Sequence, residues 1–306
     1  MLHFKKAKKG KIIMKKIFSV FLALILCLST LSVAVSANND KPFYLVLGDS
    51  IAYGSGLGNP TEACYGKIVA DTNGYEYVNH SVPGHTTTNL IARLSQPEVT
   101  EALEKADIIS ISIGGNDFLL GNLMQLIFNA MVLNDYTPLD SIAAKFYENF
   151  STIVDIINEH NPDAVILMQT LYNPQSGYLR EPYQMAADRL NAQIERFSSE
   201  NPGEIVIVDV GTALGDDPAN YADDDIHPSS NGNMIIAQEV LDVLYENNLG
   251  SSTTPVITTP ATDISIPSFF TASLDIMGFI FNLMGSVYDF IYNLFSFIPV
   301  PYSMNN

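Results

Sequence analysis

The sequence predicts an α/β domain in which a parallel β-sheet is covered by helices on both faces. Between about Lys41 and Asn248, apolar runs of strand length alternate with stretches of helical periodicity. The runs are rich in β-branched residues and are apolar throughout, as expected of strands that are buried on both faces of a parallel sheet. Four runs are clear, at 44–47, 108–113, 164–168 and 205–210. A fifth, at 75–78, is weaker.

Helical periodicity is clearest in three stretches, and each of them follows or precedes a predicted strand. The three stretches are 141–158, 181–200 and 231–247. Strands that alternate with helices of this length are typical of βαβ units, in which successive strands run parallel.

Residues 1–37 have the layout of a secretory signal peptide. Lys15 and Lys16 precede an apolar run, and the segment ends in the small residues expected before a cleavage site. An uncleaved membrane anchor is the alternative, because 17–35 is nearly long enough to span a bilayer. We therefore predict an exported protein, secreted or held at the cell surface or membrane, whose mature chain begins at Asn38.

The charge distribution excludes nucleic acid as a partner. The formal net charge is −18, and seven of the 15 basic residues lie in 1–37, which contains no acid. From Asn38 onward there are 8 basic and 33 acidic residues, so 8 − 33 gives −25, a charge that repels phosphate backbones. The two cysteines, Cys27 and Cys64, support neither a disulfide framework nor a Cys-rich zinc site. We expect no metal and no cofactor.

Four short polar stretches follow predicted strands or precede a predicted helix. In a parallel sheet all four would lie at the carboxyl ends of the strands, where α/β proteins bind their ligands. The stretches are 48–50, 79–84, 114–117 and 224–228.

These stretches contain the groups that an acyl-transfer reaction needs. The hydroxyl of Ser50 becomes a nucleophile when a base such as His227 takes its proton, and Asp224 can hold the other ring nitrogen of that histidine. Donors for a developing oxyanion are available from the backbone N–H groups of Ser50 and Gly84 and from the side-chain amide of Asn116. Asp49 and Asp117 are expected to hold the turns that carry Ser50 and Asn116.

The four stretches, in this order, resemble the four sequence blocks of the GDSL, or SGNH, hydrolase family. The resemblance spans 48–228, which is nearly the whole predicted domain, and Ile51 stands where the family name has leucine. It implies a flavodoxin-like, three-layer α/β/α sandwich around a mostly parallel five-stranded sheet, and ester hydrolysis through an acyl-enzyme. It also implies residue roles: Ser50, Asp224 and His227 as the catalytic triad, and Ser50, Gly84 and Asn116 as the oxyanion hole.

The sequence therefore predicts a secreted serine esterase or lipase that acts on a small-molecule, lipid or glycan ester. Two alternatives remain open, namely removal of acetyl groups from polysaccharides and a catalytically silent binding module that kept the fold. The module is disfavoured because binding alone does not require a triad. No stretch identifies substrate-binding residues, although the apolar residues at 118–133 are either a core-facing helix or a wall for an acyl chain.

Three further regions are predicted beyond the signal peptide. We expect the hydrolase domain at 38–250, a Thr/Pro/Ser-rich linker at 251–267 and an apolar amphipathic segment at 268–306. In that segment, Asp275 and Asp289 disfavour a membrane-spanning helix. We expect the segment to contact a membrane or substrate interface, or to mediate self-association.

Overall fold

The structure is a computed structural model, and it describes two long stretches of the chain and five further residues. These are 41–120, 123–265, 280, 283, 284, 286 and 287. The predicted signal peptide at 1–37 lies outside the described residues, and so does most of the C-terminal segment at 268–306. All elements below belong to one compact unit, Pro42–Asn306.

The domain is built on a parallel sheet whose five strands lie in the order β2-β1-β3-β4-β5. Every neighbouring pair is parallel, which confirms the predicted α/β class and sheet. The strands are β1 (Phe43–Gly48), β2 (Glu76–Asn79), β3 (Ile108–Ser112), β4 (Val165–Gln169) and β5 (Val206–Val208).

Helices connect the strands and cover both faces of the sheet. In chain order they are α1 (Ser50–Tyr53), α2 (Pro60–Ala63), α3 (Tyr65–Asn73), α4 (Thr87–Leu94), α5 (Pro97–Leu103), α6 (Gly115–Leu119), α7 (Leu123–Val132), α8 (Thr137–His160), α9 (Arg180–Glu200), α10 (Val210–Leu214) and α11 (Ser230–Glu246). The three helices predicted from periodicity are confirmed as α8, α9 and α11.

The interior strand β1, which lies between β2 and β3, shows why two apolar layers form. Its side chains alternate between the faces of the sheet, and all six of its residues are buried. Leu45 and Leu47 belong to the core cluster that also contains residues of α4 to α9, whereas Tyr44 and Val46 belong to the cluster with α3, α10 and α11. A strand buried on both faces is thus apolar at every position, as its sequence indicates.

The apolar stretch 118–133 forms two helices, α6 and α7, instead of one. Phe118 and Ile127 are buried in the core, which agrees with the core-facing interpretation of this stretch. Leu120, which follows α6, is 65% exposed.

No helix in the described part of the chain is long and apolar enough to cross a membrane. Residues 251–265, most of the predicted linker, make a series of hydrogen bonds to the domain that are taken up below.

Candidate active site

Ser50 lies at a sharp turn between β1 and α1. The turn needs glycine at position 48, where φ is +135° and a Cβ atom would lie 2.0 Å from the carbonyl oxygen of Ser112. Asp49 is the N-cap of α1, and Ser50 is the first residue of that helix. The serine is thereby held just beyond the carboxyl edge of the sheet, at a helix N-terminus.

Asp49 supports this turn from the interior. Its Oδ1 accepts a hydrogen bond of 2.9 Å from the backbone N–H of Ile51, and the residue is 3% exposed. Burial raises the pKa of Asp49 to about 7, although the Ile51 N–H and the nearby His227 act in the opposite direction. These contacts confirm the structural interpretation of this carboxyl group.

His227 and Asp224 form a close pair in the loop before α11. His227 Nδ1 lies 2.5 Å from Asp224 Oδ2, while Asp224 Oδ1 accepts hydrogen bonds from the backbone N–H groups of Ile226 and His227. Burial would raise the pKa of Asp224, but the hydrogen bonds from His227 outweigh it and lower this pKa. The ionised carboxylate fits a histidine that carries its proton on Nδ1, which leaves Nε2 free to accept another.

Longer-range hydrogen bonds hold the histidine loop against the sheet. The hydroxyl of Tyr172, beyond β4, donates a bond of 2.7 Å to the carbonyl oxygen of Ile226. The backbone N–H of Ala222 donates to the carbonyl oxygen of His227 at 2.8 Å. The backbone carbonyls of Ile226 and His227 are therefore both held by hydrogen bonds.

Ser50 and His227 line the same cavity. Within the described residues, no hydrogen bond joins the Ser50 hydroxyl to the His227 ring. Such bonds are often long in free enzymes and shorten when the substrate is bound. The structure thus brings the predicted nucleophile and base into one cavity, with the Asp224–His227 pair already formed.

The predicted oxyanion donors line this cavity as well. In the part of the chain that the structure describes, neither the backbone N–H of Ser50 nor that of Gly84 donates a hydrogen bond. Asn116 Nδ2 donates one hydrogen bond of 3.0 Å to the carbonyl oxygen of His85. An amide nitrogen carries two protons, so this bond orients the Asn116 amide and leaves its second proton for a ligand.

Asp117 ties the loops that carry Gly84 and Asn116 to each other. Its carboxylate accepts hydrogen bonds from the backbone N–H and the hydroxyl of Thr87, at 3.0 and 2.5 Å. Asn149 of α8 donates to the same hydroxyl at 2.8 Å. Burial raises the pKa of Asp117, and the Thr87 bonds oppose that rise. The structural interpretation of Asp117 is confirmed, because its bonds fix one oxyanion loop against the other.

The cavity has a volume of about 510 Å³, and most of its wall is apolar. The interpretation of 118–133 as a cavity wall holds in part, because Phe118, Leu119 and Leu120 line this cavity. Sequence reasoning missed the rest of the wall, including the part that comes from the loop after β4. That loop has no sequence motif. It could have been predicted to line the site only because it follows the carboxyl end of a strand in the same parallel sheet. The apolar wall residues are Ile51, Pro83, Ile113, Phe118, Leu119, Leu120, Leu171, Tyr172, Pro174, Tyr183, Val210 and Ile226.

Cys64 lies outside this wall. It is fully buried, and its sulfur lies 3.3 Å from the hydroxyl of Tyr77. Cys64 is therefore a small buried residue of the domain and does not contact the cavity.

Comparison with known proteins places the chain in a family. A model of the GDSL-like Lipase/Acylhydrolase family matches residues 46–235, which is more than half of the 306 residues. An uncharacterized protein of Bacillus subtilis (strain 168), YpmR, is 24% identical over 256 residues, which are 76% of this chain and 98% of that protein. The resemblance inferred from the four sequence blocks is thus confirmed.

Solved structures share the fold. The lipase Lip_vut3 from a goat rumen metagenome is 22% identical, with a TM-score of 0.57, over 67% of this chain and 98% of its own. Axe2, an acetylxylan esterase from Geobacillus stearothermophilus, is 22% identical with a TM-score of 0.50, over 70% of this chain and 96% of its own. At these identities the likeness establishes the fold alone, and it agrees with the predicted three-layer architecture.

We predict that Asp49 makes folding stability fall as the pH rises. Its pKa is about 7 in the folded protein against an ordinary value of 3.8, so the folded state binds more protons between these values. Its contribution is fully present below about pH 4 and is lost as the pH approaches 7. About three pKa units correspond to on the order of 4 kcal/mol.

The measurement is urea unfolding of the wild type and Asp49→Asn at several pH values from about 4 to 8. Asparagine can still accept the hydrogen bond from Ile51, so the difference between the two curves isolates the titration of Asp49. Parallel curves would contradict the prediction.

Proposed function

From the premise that this chain belongs to the GDSL-like Lipase/Acylhydrolase family and is a carboxylic ester hydrolase, we propose that it works through an acyl-enzyme on Ser50. The observation that carries this proposal is the Asp224–His227 pair, at 2.5 Å, with its histidine on the cavity that Ser50 lines. In this proposal His227 is the base and Asp224 holds the tautomer.

The reaction has two halves that use the same groups. The Ser50 oxygen attacks the ester carbonyl while His227 Nε2 takes the hydroxyl proton, and the resulting imidazolium is stabilised by Asp224. His227 then gives that proton to the leaving alkoxide, so an alcohol departs and an acyl-serine remains. Water, deprotonated by His227, attacks the acyl-serine, which releases the acid and restores the Ser50 hydroxyl.

The negative charge in both halves develops on the former carbonyl oxygen. The donors we assign to it are the backbone N–H groups of Ser50 and Gly84, which have no acceptor among the described residues, and the second amide proton of Asn116. Because Asp117 and His85 fix these groups beforehand, little reorganisation is needed at the moment of reaction.

We further propose that the enzyme prefers esters with medium or long acyl chains. The cavity beside Ser50 is walled mainly by apolar side chains from α6, the loop after β4 and α9. Burial of each methylene of an acyl chain against such a wall contributes about 0.8 kcal/mol. The partly buried Leu119 lies on this wall and also packs against the core.

Deacetylation of a glycan is the second candidate. It is favoured by the fold shared with an acetylxylan esterase, but an acetyl group would leave most of the apolar wall without contact. A silent binding module is disfavoured, because the Asp224–His227 pair and the unpaired donors serve turnover rather than binding.

A panel of aryl esters from acetyl to decanoyl tests these proposals. We expect kcat/KM of the wild type to rise with acyl length, since each methylene adds apolar burial. Leu119→Trp should fill the cavity and lower kcat/KM for decanoyl esters at least tenfold more than for acetyl esters. A wild type that prefers acetyl esters would favour the glycan alternative.

The same panel contains the controls. Leu133→Trp changes an exposed leucine outside the cavity wall, so the chain-length profile should not change. Ser50→Ala should abolish hydrolysis of every ester, and Asn116→Ala should lower kcat by about 10²–10³. A folded Ser50→Ala protein with wild-type rates would contradict the mechanism.

We propose that the protein is exported. The support is the order of charge, apolar run and small residues in 1–37. When the full gene product is made in a host with a general secretion pathway, N-terminal sequencing of material from the medium should begin at Asn38. Recovery of the chain only in membranes, with Lys15 still attached, would instead support the anchor.

We also propose that the C-terminal segment contacts an apolar partner, either a lipid surface or a second copy of the chain. Four of its described residues are helical apolar side chains spaced at i, i+3, i+4 and i+7, which is one helix face. They are Ile280, Leu283, Met284 and Val287, and they are 46%, 55%, 44% and 50% exposed.

The test is the double variant Leu283→Glu and Val287→Glu, with Tyr245→Glu as a matched change of an exposed apolar residue on α11. The double variant should lose binding to phosphatidylcholine vesicles, or sediment as a smaller species than the wild type. Its activity on soluble esters should be unchanged. A wild type that neither binds vesicles nor self-associates would overturn this proposal.

A further inference from the structure

The stretch 251–264, called the C-terminal strap below, lies against the hydrolase domain. Its first half is bound at the end of α3. The backbone N–H of Ser251 donates to Asn73 Oδ1 at 2.8 Å, and that of Val256 donates to Thr72 Oγ1 at 2.9 Å. Side chains of the domain therefore supply acceptors for the backbone of a segment with linker composition.

The second half of the strap pairs with the loop that follows α1. The backbone N–H of Gly58 donates to the carbonyl oxygen of Thr262 at 2.6 Å, and that of Ile264 donates to the carbonyl oxygen of Gly56 at 3.0 Å. The pairing is antiparallel. It fixes a loop that begins only a few residues after Ser50.

This loop in turn contacts the backbone of the histidine loop. Gly56 has φ of +102°, and a Cβ atom there would lie 3.0 Å from His227 Cβ and 2.7 Å from the carbonyl oxygen of Pro228. The glycine thus permits a close approach that any side chain would prevent. A shift of the loop at Gly56 would be transmitted to His227 by direct contact.

Asp263 makes the second connection. Its two carboxylate oxygens accept hydrogen bonds from the backbone N–H and the hydroxyl of Ser230, at 2.5 and 2.9 Å. Ser230 is the first residue of α11, three residues after His227, and the N-terminal end of a helix favours a negative charge. The strap is therefore connected to the histidine loop in two ways: directly through Ser230, and indirectly through the loop of Gly56.

From these contacts we infer that Asp263 is a positioning residue for His227 and that the C-terminal strap belongs functionally to the hydrolase domain. The inference rests on the proposed role of His227 as the base. Asp263 does not touch the reacting atoms. Its carboxylate binds Ser230, which follows His227 in the chain. Its neighbours in the strap, Thr262 and Ile264, bind the loop of Gly56, which contacts His227. Displacements of about 1 Å can cost up to 10²-fold in rate.

The test uses the full-length enzyme and a soluble short-chain aryl ester. Asp263→Ala should lower kcat about tenfold and change KM less than twofold, because the cavity wall is untouched. Asp263→Asn should show an intermediate kcat, since its amide oxygen can still accept from the Ser230 N–H. The resonance of the His227 Nδ1 proton should broaden in the alanine variant.

Thr258→Val is the matched control within the strap. It removes a hydrogen bond to Asp71, remote from the histidine, and should leave kcat unchanged. If Asp263→Ala fails to fold, Ile264→Pro tests the same connection. It removes the N–H that donates to the Gly56 carbonyl and restricts the backbone of Asp263 before it, so it should also lower kcat.

Two results would overturn the inference: a kcat within twofold of the wild type for folded Asp263→Ala, or an equal loss of kcat in Thr258→Val. Ser50→Ala, assayed alongside, separates this failure from failure of the proposed function. An active Ser50→Ala protein would remove the mechanism itself, whatever Asp263 does.

Discussion

Parallel pairing of β1 between β2 and β3 is the constraint on which the site depends. The sheet order β2-β1-β3 brings three loops together at one edge. The loop after β1 carries Ser50, the loop after β2 carries Gly84, and the turn after β3 carries Asn116. Strand order therefore places the proposed nucleophile between the two loops that carry the proposed oxyanion donors. The same edge continues into the loop after β4, which supplies part of the apolar cavity wall.

Holding polar groups at this edge has an energetic cost. Asp49 and Asp117 are buried or partly buried carboxyl groups whose pKa values are raised by burial, so ionisation of either opposes folding. In return, each carboxyl group binds backbone N–H groups that would otherwise be unsatisfied. Asp49 fixes the turn at Ser50, and Asp117 fixes α4 against α6. The site is rigid because these acids are inside rather than in solvent.

Much of this arrangement could be predicted from the sequence, because it depends on local patterns. Buried strands are apolar at every position, and a turn such as Gly48-Asp49-Ser50 uses residues whose conformational roles are specific. The rest could not be predicted, because it depends on contacts between distant residues. The loop after β4 has no motif. The Ser/Thr/Pro-rich composition of 251–264 is that of a linker, and nothing in it shows that Asn73, 178 residues before Ser251, accepts a hydrogen bond from that residue.

His227, the proposed base, depends on both local and distant contacts. Its bond to Asp224 is local, since the two residues are three apart and a turn at Asp224 sets their geometry. The hydrogen bonds within this turn do not determine the position of the pair relative to Ser50. Tyr172 from the loop after β4 and Gly56 from the loop after α1 contact this turn, and Asp263 binds the helix that follows. A short motif can therefore specify the Asp224–His227 pair, whereas its position relative to Ser50 depends on contacts from distant parts of the folded chain.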